Sequence, residues 1–467
     1  MKQKLIYIVL GLFVLLSTFV LLNFNGTGGV GDSVLHYLFA KHAPAHPELY
    51  FNHWAKPFFT LLSSPFAQFG FAGIKVFNAL VSLFTIYLTY LTAVKLQLKN
   101  AILSAIILIA TPLFFLLTFS GLTEPLFGFF VIGGTYFAVK KQYIVAAILL
   151  SFLPFIRSEG LIIVGVFGLL FSFKKQWKAI PFLALGHIIY SIAGYHVYQD
   201  ILWVFTKIPY AEMNDNYGNG KLTHFVTQLM FVVGVPIYIL FWLGIIAMVW
   251  KSIKKTIQLE TQVLVGLGFV AFFVAHSLFW HLGIFNSMGL KRVFVGIAPL
   301  MAIIALIGYN FVVEELFKNK KYPRIILQRF LLIYMLVFPF TSNPAAPKWE
   351  KALNLSGSQT CALKIADYFD EHPTLHAKEK IRFVFIDPYL SQALNIDHFD
   401  PAVRTELNSG ALEQLKSGDI VIWENWFAVV ERGITKKSLD ENPQLEFMFD
   451  SNVWDNRDIE YGVYKVK

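Results

Sequence analysis

Through the first 341 residues, apolar runs follow one another, separated by short loops in which Lys and Arg outnumber acids. A helix that crosses a bilayer needs about 20 mostly apolar residues, or about 17 where it fits closely. Candidate spans lie at 5–23, 74–94, 101–119, 122–139, 143–156, 161–173, 180–197, 225–250, 263–281, 293–311 and 325–340, about eleven in all. Composition agrees: 56% of residues are hydrophobic and 15% charged, with a mean hydropathy of +0.57. A soluble domain carries about a quarter charged residues. A disordered chain, a collagen-like chain and a disulfide-rich scaffold are excluded, and the single cysteine, Cys361, has no internal partner.

The net charge of +9 hides an asymmetry. Residues 1–341 hold 25 Lys/Arg and 10 Asp/Glu, whereas residues 342–467 hold 14 and 20. Nucleic acid is not needed to explain the basic excess, which sits in alternate loops: Lys95/Lys99, Lys140/Lys141, Lys174/Lys175/Lys178, Lys251/Lys254/Lys255 and Lys318/Lys320/Lys321/Arg324. By the positive-inside rule these loops and the N-terminus are cytoplasmic. The opposite side then carries segments 25–73 and 199–224, the short loop at Lys291-Arg292, and the C-terminal part. Seven of the ten acids fall toward that side: Asp32, Glu48, Glu124, Glu159, Asp200, Glu212 and Asp215. Ionisable residues near hydrocarbon are costly and mark function, so the chemistry is expected outside. Asn23-Phe24-Asn25-Gly26 offers no small-x-small cleavage site, so the first run is expected to be a retained anchor.

Residues 1–341 are therefore expected to form a membrane domain and residues 342–467 an extracytoplasmic α/β domain. Pro344 and Pro347 mark the linker. Beyond it, helices are expected at 360–369 and 411–416 and strands at 381–386, 419–423, 445–449 and 462–466. His372, His376 and His398 have no ligand spacing and read as surface histidines. Acceptor binding or a lid is the expected role of this domain. Segment 57–69 is too short to span and reads as an interfacial helix broken at Pro65.

The long segment after the first run carries Gly31-Asp32-Ser33 at its start and His53-Trp54-Ala55-Lys56-Pro57-Phe58 further on. It resembles the first outer loop of the polyprenyl-phosphate-sugar-dependent glycosyltransferases of the GT-C superfamily, the protein O-mannosyltransferases and bacterial aminoarabinose transferases above all. Ser33 stands where those enzymes carry a second acid, and Phe58 where they carry a second proline. Thr123-Glu124-Pro125-Leu126-Phe127 looks like the (Ser/Thr)-Glu-x-Leu motif of the superfamily, Arg157-Ser158-Glu159-Gly160 like its Arg-x-Glu-Gly segment, and Gly289-Leu290-Lys291-Arg292-Val293 like its late basic motif.

The resemblance implies transfer of a sugar from a polyprenyl phosphate to a hydroxyl acceptor, on a lipid, glycan or protein, at the outer face of the plasma membrane. A lipid-linked glycan polymerase, ligase, flippase or transporter is the alternative. Such transfer needs a base for the acceptor proton and cations for the leaving phosphate. Asp32 is the expected base, against a solvated loop acid or a helix N-cap. His53, Lys56, Arg157, Lys291 and Arg292 are candidates for donor or phosphate binding, and Glu124 and Glu159 for substrate positioning. For Lys291 and Arg292 the competing reading is snorkelling at a span end, and for Arg157 a salt bridge to Glu159. Lys and Arg could meet the phosphate unaided, with no certain cofactor, though the chemistry leaves room for a divalent metal. His276 and His281, five residues apart, share no helix face that would make a metal site.

Overall fold

The computed structural model describes residues 2–28, 31–209, 218–317, 321–372, 381–454 and 458–467. Glu212, Asp215, Lys318, Lys320 and His376 lie outside them. Among the described residues, seven helices are long and apolar enough to cross a membrane: Lys4–Asn23, Gly70–Lys95, Trp177–Tyr198, Val235–Ile253, Thr261–Leu282, Lys291–Glu315 and Tyr322–Phe340. Shorter apolar helices occupy Glu124–Val139, Tyr143–Phe155, Gly160–Phe173 and His224–Val233. The protein is thus a helical, multi-pass membrane protein with a small C-terminal sheet domain.

Two expected spans are interrupted, each for a local reason. The run 101–119 splits into Ile102–Ile109 and Pro112–Thr118, because Pro112 cannot donate to the preceding turn and instead opens a new helix. The run 225–250 breaks at Gly234, whose φ of +77 an L side chain rarely adopts, and restarts at Val235-Pro236. Segment 57–69 departs from expectation in the other direction. The helix Pro57–Ala67 continues through Pro65 and buries one face, with Phe59 fully buried, Phe58 stacked on Phe152 at 4.5 Å and Phe66 against Phe77 at 5.2 Å, while Leu61 and Pro65 stay exposed. Aromatic packing holds this helix where proline alone would end it.

The helix Ala298–Asn310 is buried on all sides and lies at the centre of the bundle. It meets Val235–Ile253 at close range: a Cβ on Gly308 would lie 1.9 Å from the Leu240 carbonyl oxygen, and one on Gly244 would lie 2.0 Å from that of Ile304. Small residues at such crossings let backbones approach where lipid gives no hydrophobic drive to association. Gly308→Val is expected to push the pair apart and cost at least about 1–3 kcal/mol, read as a lower thermal unfolding midpoint of the purified protein in detergent. The first span and Tyr322–Phe340, by contrast, are mostly exposed apolar surface.

The Lys-rich loops meet at one end of the bundle. Lys99 and Arg324 pair with Glu314 (3.4 and 2.9 Å), Lys251 with Glu315 (2.7 Å) and Lys174 with Glu260 (2.7 Å).

The C-terminal sheet comprises β1 (Phe383–Val384), β2 (Arg404–Thr405), β3 (Ile420–Glu424), β4 (Leu445–Trp454) and β5 (Asp458–Val466), in the order β2-β1-β3-β5-β4. Strands β2, β1 and β3 run parallel, and β5 is antiparallel to β3 and β4. The helix Gly357–Glu371 starts in a capping box of Ser356 and Gln359. His398, expected at the surface, is buried and hydrogen-bonded to Ser391 Oγ at 2.7 Å, because its segment folds back on the helix Pro388–Ala393.

This domain shares a core with the segment between the first two spans. Val34, Tyr37 and Leu38, one face of the helix Gly31–His42, belong to the same apolar cluster as Ile365, Phe385 and Tyr389. Around that cluster Gly26 N–H donates to the Leu353 carbonyl (2.9 Å), Lys41 Nζ to Asn395 (3.0 Å), and Asp397 bonds His46 Nε2 (2.9 Å). Phe39 and Phe399 rings are 4.5 Å apart. The helix that carries Asp32 is clamped between two bodies of protein.

Candidate active site

Asp32 occupies the first turn of Gly31–His42, where the exposed N–H groups favour an anion. Space is tight at Gly31 before it: a Cβ there would lie 3.0 Å from the Phe427 ring of the C-terminal domain. Arg292 reaches Asp32 from 260 residues away, donating from Nη2 to Oδ2. It stands in the 3-10 turn Lys291–Ile297 that opens the central span. Burial pushes the Asp32 carboxyl up, but the Arg292 guanidinium and its hydrogen bond, helped by Arg157, outweigh that and hold it below the usual carboxylate range. Asp32 is therefore ionised at neutral pH.

The network continues inward. Glu124, the first residue of Glu124–Val139, is fully buried. Arg157 Nη1 lies 2.9 Å and Arg292 Nε 3.5 Å from its Oε1. Neither approach has hydrogen-bond geometry, so both Glu124 oxygens and Arg292 Nε have electrostatic neighbours but, among the described residues, no proper hydrogen-bond partner. Arg157 also donates to Glu159 Oε1 at 2.5 Å and to Thr123 Oγ1 at 3.1 Å. The salt bridge expected as the competing reading for Arg157 is present, as one arm of a larger cluster.

Lys56 is 8% exposed and adopts φ +66, a conformation sparsely populated by side-chain-bearing residues. It closes the turn before Pro57 and enters the field of Glu159, Asp32 and Glu124. Burial lowers its amine to about 8, so the Lys56 cation is retained at neutral pH. His53 sits beside it with its ring 5.0 Å from Trp203, and burial together with the Lys56 charge lowers it to about 4.

Asp32, Lys56, Glu124, Arg157, Glu159 and Arg292 thus meet in one place, with His53 at its edge. Lys291 does not join them: its Nζ lies over the Phe231 ring at 5.1 Å, because neighbouring residues of a 3-10 turn point to different sides. Sequence reasoning passed over Thr123, which holds Arg157, and two histidines. His276 is buried among Phe225, Phe272 and Phe294 and lies within the field of Glu159 and Arg157. His36 lies one turn beyond Asp32, a spacing that the sequence displays. Asp32, Glu124 and Glu159 each face a guanidinium, and among the described residues no group of three His, Cys, Asp or Glu could hold a metal ion. This donor set does not fit a divalent cation.

No protein-family model and no curated protein matches the chain. Solved structures do. The apo crystal structure of the aminoarabinose transferase ArnT from Cupriavidus metallidurans superposes with a TM-score of 0.64 at 12% identity, over 99% of this chain and 98% of that one. ArnT from the same organism bound to undecaprenyl phosphate gives 0.60 at 11% identity, over 97% of both chains. The Archaeoglobus fulgidus oligosaccharyltransferase tethered to an acceptor peptide gives 0.50 at 13% identity, over 85% of this chain and 63% of that one. The chain therefore has the GT-C fold, as the motifs led one to expect.

Proposed function

We propose that this protein is an integral-membrane inverting glycosyltransferase that moves a sugar from a polyprenyl-phosphate donor to a hydroxyl acceptor. The observation that carries the reading is the convergence of four motifs, far apart in sequence, on one cluster of three cations and three carboxylates. ArnT bound to undecaprenyl phosphate supports a polyprenyl phosphate as the carrier.

In this reading the acceptor oxygen attacks the anomeric carbon as the bond from that carbon to the phosphate oxygen breaks. Asp32 takes the acceptor proton. The departing phosphate is met by Lys56, Arg157 and Arg292. Arg292 has a second task, since its contact keeps Asp32 ionised. Glu124 holds the two guanidiniums in register, and Glu159 orients Arg157. One displacement inverts the anomeric centre. The cluster faces the outside of the plasma membrane, with the C-terminal domain, and the Lys-rich end faces the cytoplasm. The acceptor is a lipid, glycan or protein of the cell envelope.

The test is to incubate purified protein with polyprenyl-phosphate sugars and candidate acceptors. The expected result is release of free polyprenyl phosphate with an inverted glycoside. Movement of the donor across liposomes without sugar transfer would replace this reading with a flippase. Lys56→Ala is expected to weaken donor affinity by about 10- to 100-fold, the worth of a charged hydrogen bond, measured as a rise in KM or in the Kd for undecaprenyl phosphate.

A further inference from the structure

Beside Asp32 in the charge cluster, His36 has no role in the reading above. His36 follows Asp32 by four residues on the helix Gly31–His42, so the two share a face. It is 6% exposed. Its ring stacks on Trp54 (centroids 4.9 Å apart, planes at 26°) and meets Phe59 edge-on at 5.6 Å. These contacts fix the plane of the ring. Its buried Nδ1 has no hydrogen-bond partner among the described residues. Buried polar atoms are almost always paired, and an orphan beside a cluster of charges calls for an explanation.

The surroundings supply one. Asp32, Lys56, Arg292 and Arg157 all act on this ring. Burial, reinforced by the three cations, lowers the imidazole to about 3, so it is neutral at any working pH. A neutral imidazole has one N–H donor and one acceptor nitrogen. In the reading above, three cations already gather phosphate oxygens here. Asp32 is already paired with Arg292, and a further cation beside it would lower its basicity again. An uncharged N–H adds a hydrogen bond without that penalty.

We propose that His36 is a ligand of the donor phosphate, its Nδ1–H donating to a phosphate oxygen held among Lys56, Arg157 and Arg292. The assignment rests on the donor named in the reading above. The test is binding of undecaprenyl phosphate to the full-length protein in detergent, compared among wild type, H36F, H36N and H36Q. H36F keeps an aromatic ring against Trp54 and removes the N–H, so affinity is expected to fall about tenfold or more. The Asn amide falls near the position of Nδ1 and the Gln amide near that of Nε2. H36N is therefore expected to stay within about threefold of wild type while H36Q does not.

A merely structural role would lower the thermal midpoint of H36F and leave the affinity of its folded fraction unchanged. That result overturns the assignment, as do equal losses in H36N and H36Q. If the wild type binds no undecaprenyl phosphate, the donor reading falls and His36 with it. If the wild type binds and transfers sugar while H36F binds equally well, only the His36 assignment falls.

Discussion

Asp32→Asn is expected to lower sugar transfer by about 10²- to 10⁴-fold, the usual contribution of a general base, while donor binding and thermal stability stay close to wild type. The asparagine carbonyl can still accept from Arg292, so the arginine keeps its place and the phosphate its cation. What disappears is a group able to take the acceptor proton. The measurement is single-turnover transfer by purified protein, with undecaprenyl phosphate binding as control. Full activity in D32N would remove the base assignment. The pH dependence has a definite sign. Because Arg292 holds the Asp32 carboxyl below its ordinary range, transfer is expected to stay flat as pH falls from 7 through 5 as far as this group is concerned. It should decline only once pH drops below the usual carboxylate value of about 3.9, where Asp32 begins to take up a proton.

Glu124→Ala is expected to do broader damage. Glu124 is fully buried, and Arg157 and Arg292 both approach its Oε1. Without the carboxylate two guanidiniums face each other across a buried gap. Removing one partner of a buried ion pair costs about 3–5 kcal/mol, because the remaining charge is left uncompensated. The expectation is a large fall in the thermal midpoint in detergent together with loss of transfer. D32N should separate these two effects, losing transfer alone. A Glu124→Ala protein as stable as wild type would show that Glu124 does not hold the arginines in place.

The pattern of spans was legible because lipid permits little else than long apolar helices, and the Lys-rich loops named their common end. The breaks at Pro112 and Gly234 were not, because a run that stays apolar across them hides the turn. Pro65 misled in the opposite sense: Phe58, Phe59 and Phe66 carry its helix past the proline through contacts that come from distant spans. Four of the five strands of the C-terminal domain were seen where apolar residues alternate, β1 too long and β4 and β5 cut short, since the outer halves of β4 and β5 include Asp450, Asn452, Asp458 and Glu460 and are held by pairing to each other. Strand β2, with Arg404 and Thr405, has no apolar alternation and was not expected.

Among site residues, Asp32, His53, Lys56, Glu124, Arg157, Glu159 and Arg292 stood out through motifs that resemble those of a known superfamily, and the acids also because charge beside a span is expensive. His36 and His276 did not, because their burial is created by Trp54 and Phe59 in one case and by three phenylalanines in the other. Lys291 and Arg292 are alike in sequence, and only the 3-10 turn decides that Arg292 faces Asp32 while Lys291 faces Phe231.

The clamped helix also bears on how the protein is made. A ribosome delivers Gly31–His42 soon after the first span, yet Ile365, Phe385 and Tyr389, which cover its apolar face, come from the last quarter of the chain. Until that quarter is made, the face has only its early neighbours, Phe71 and Ile74 among them. Membrane insertion can proceed span by span, but the core around this helix closes only when the C-terminal domain folds onto it. The segment bearing Asp32 is among the first to be synthesised, while part of the core that covers it is among the last.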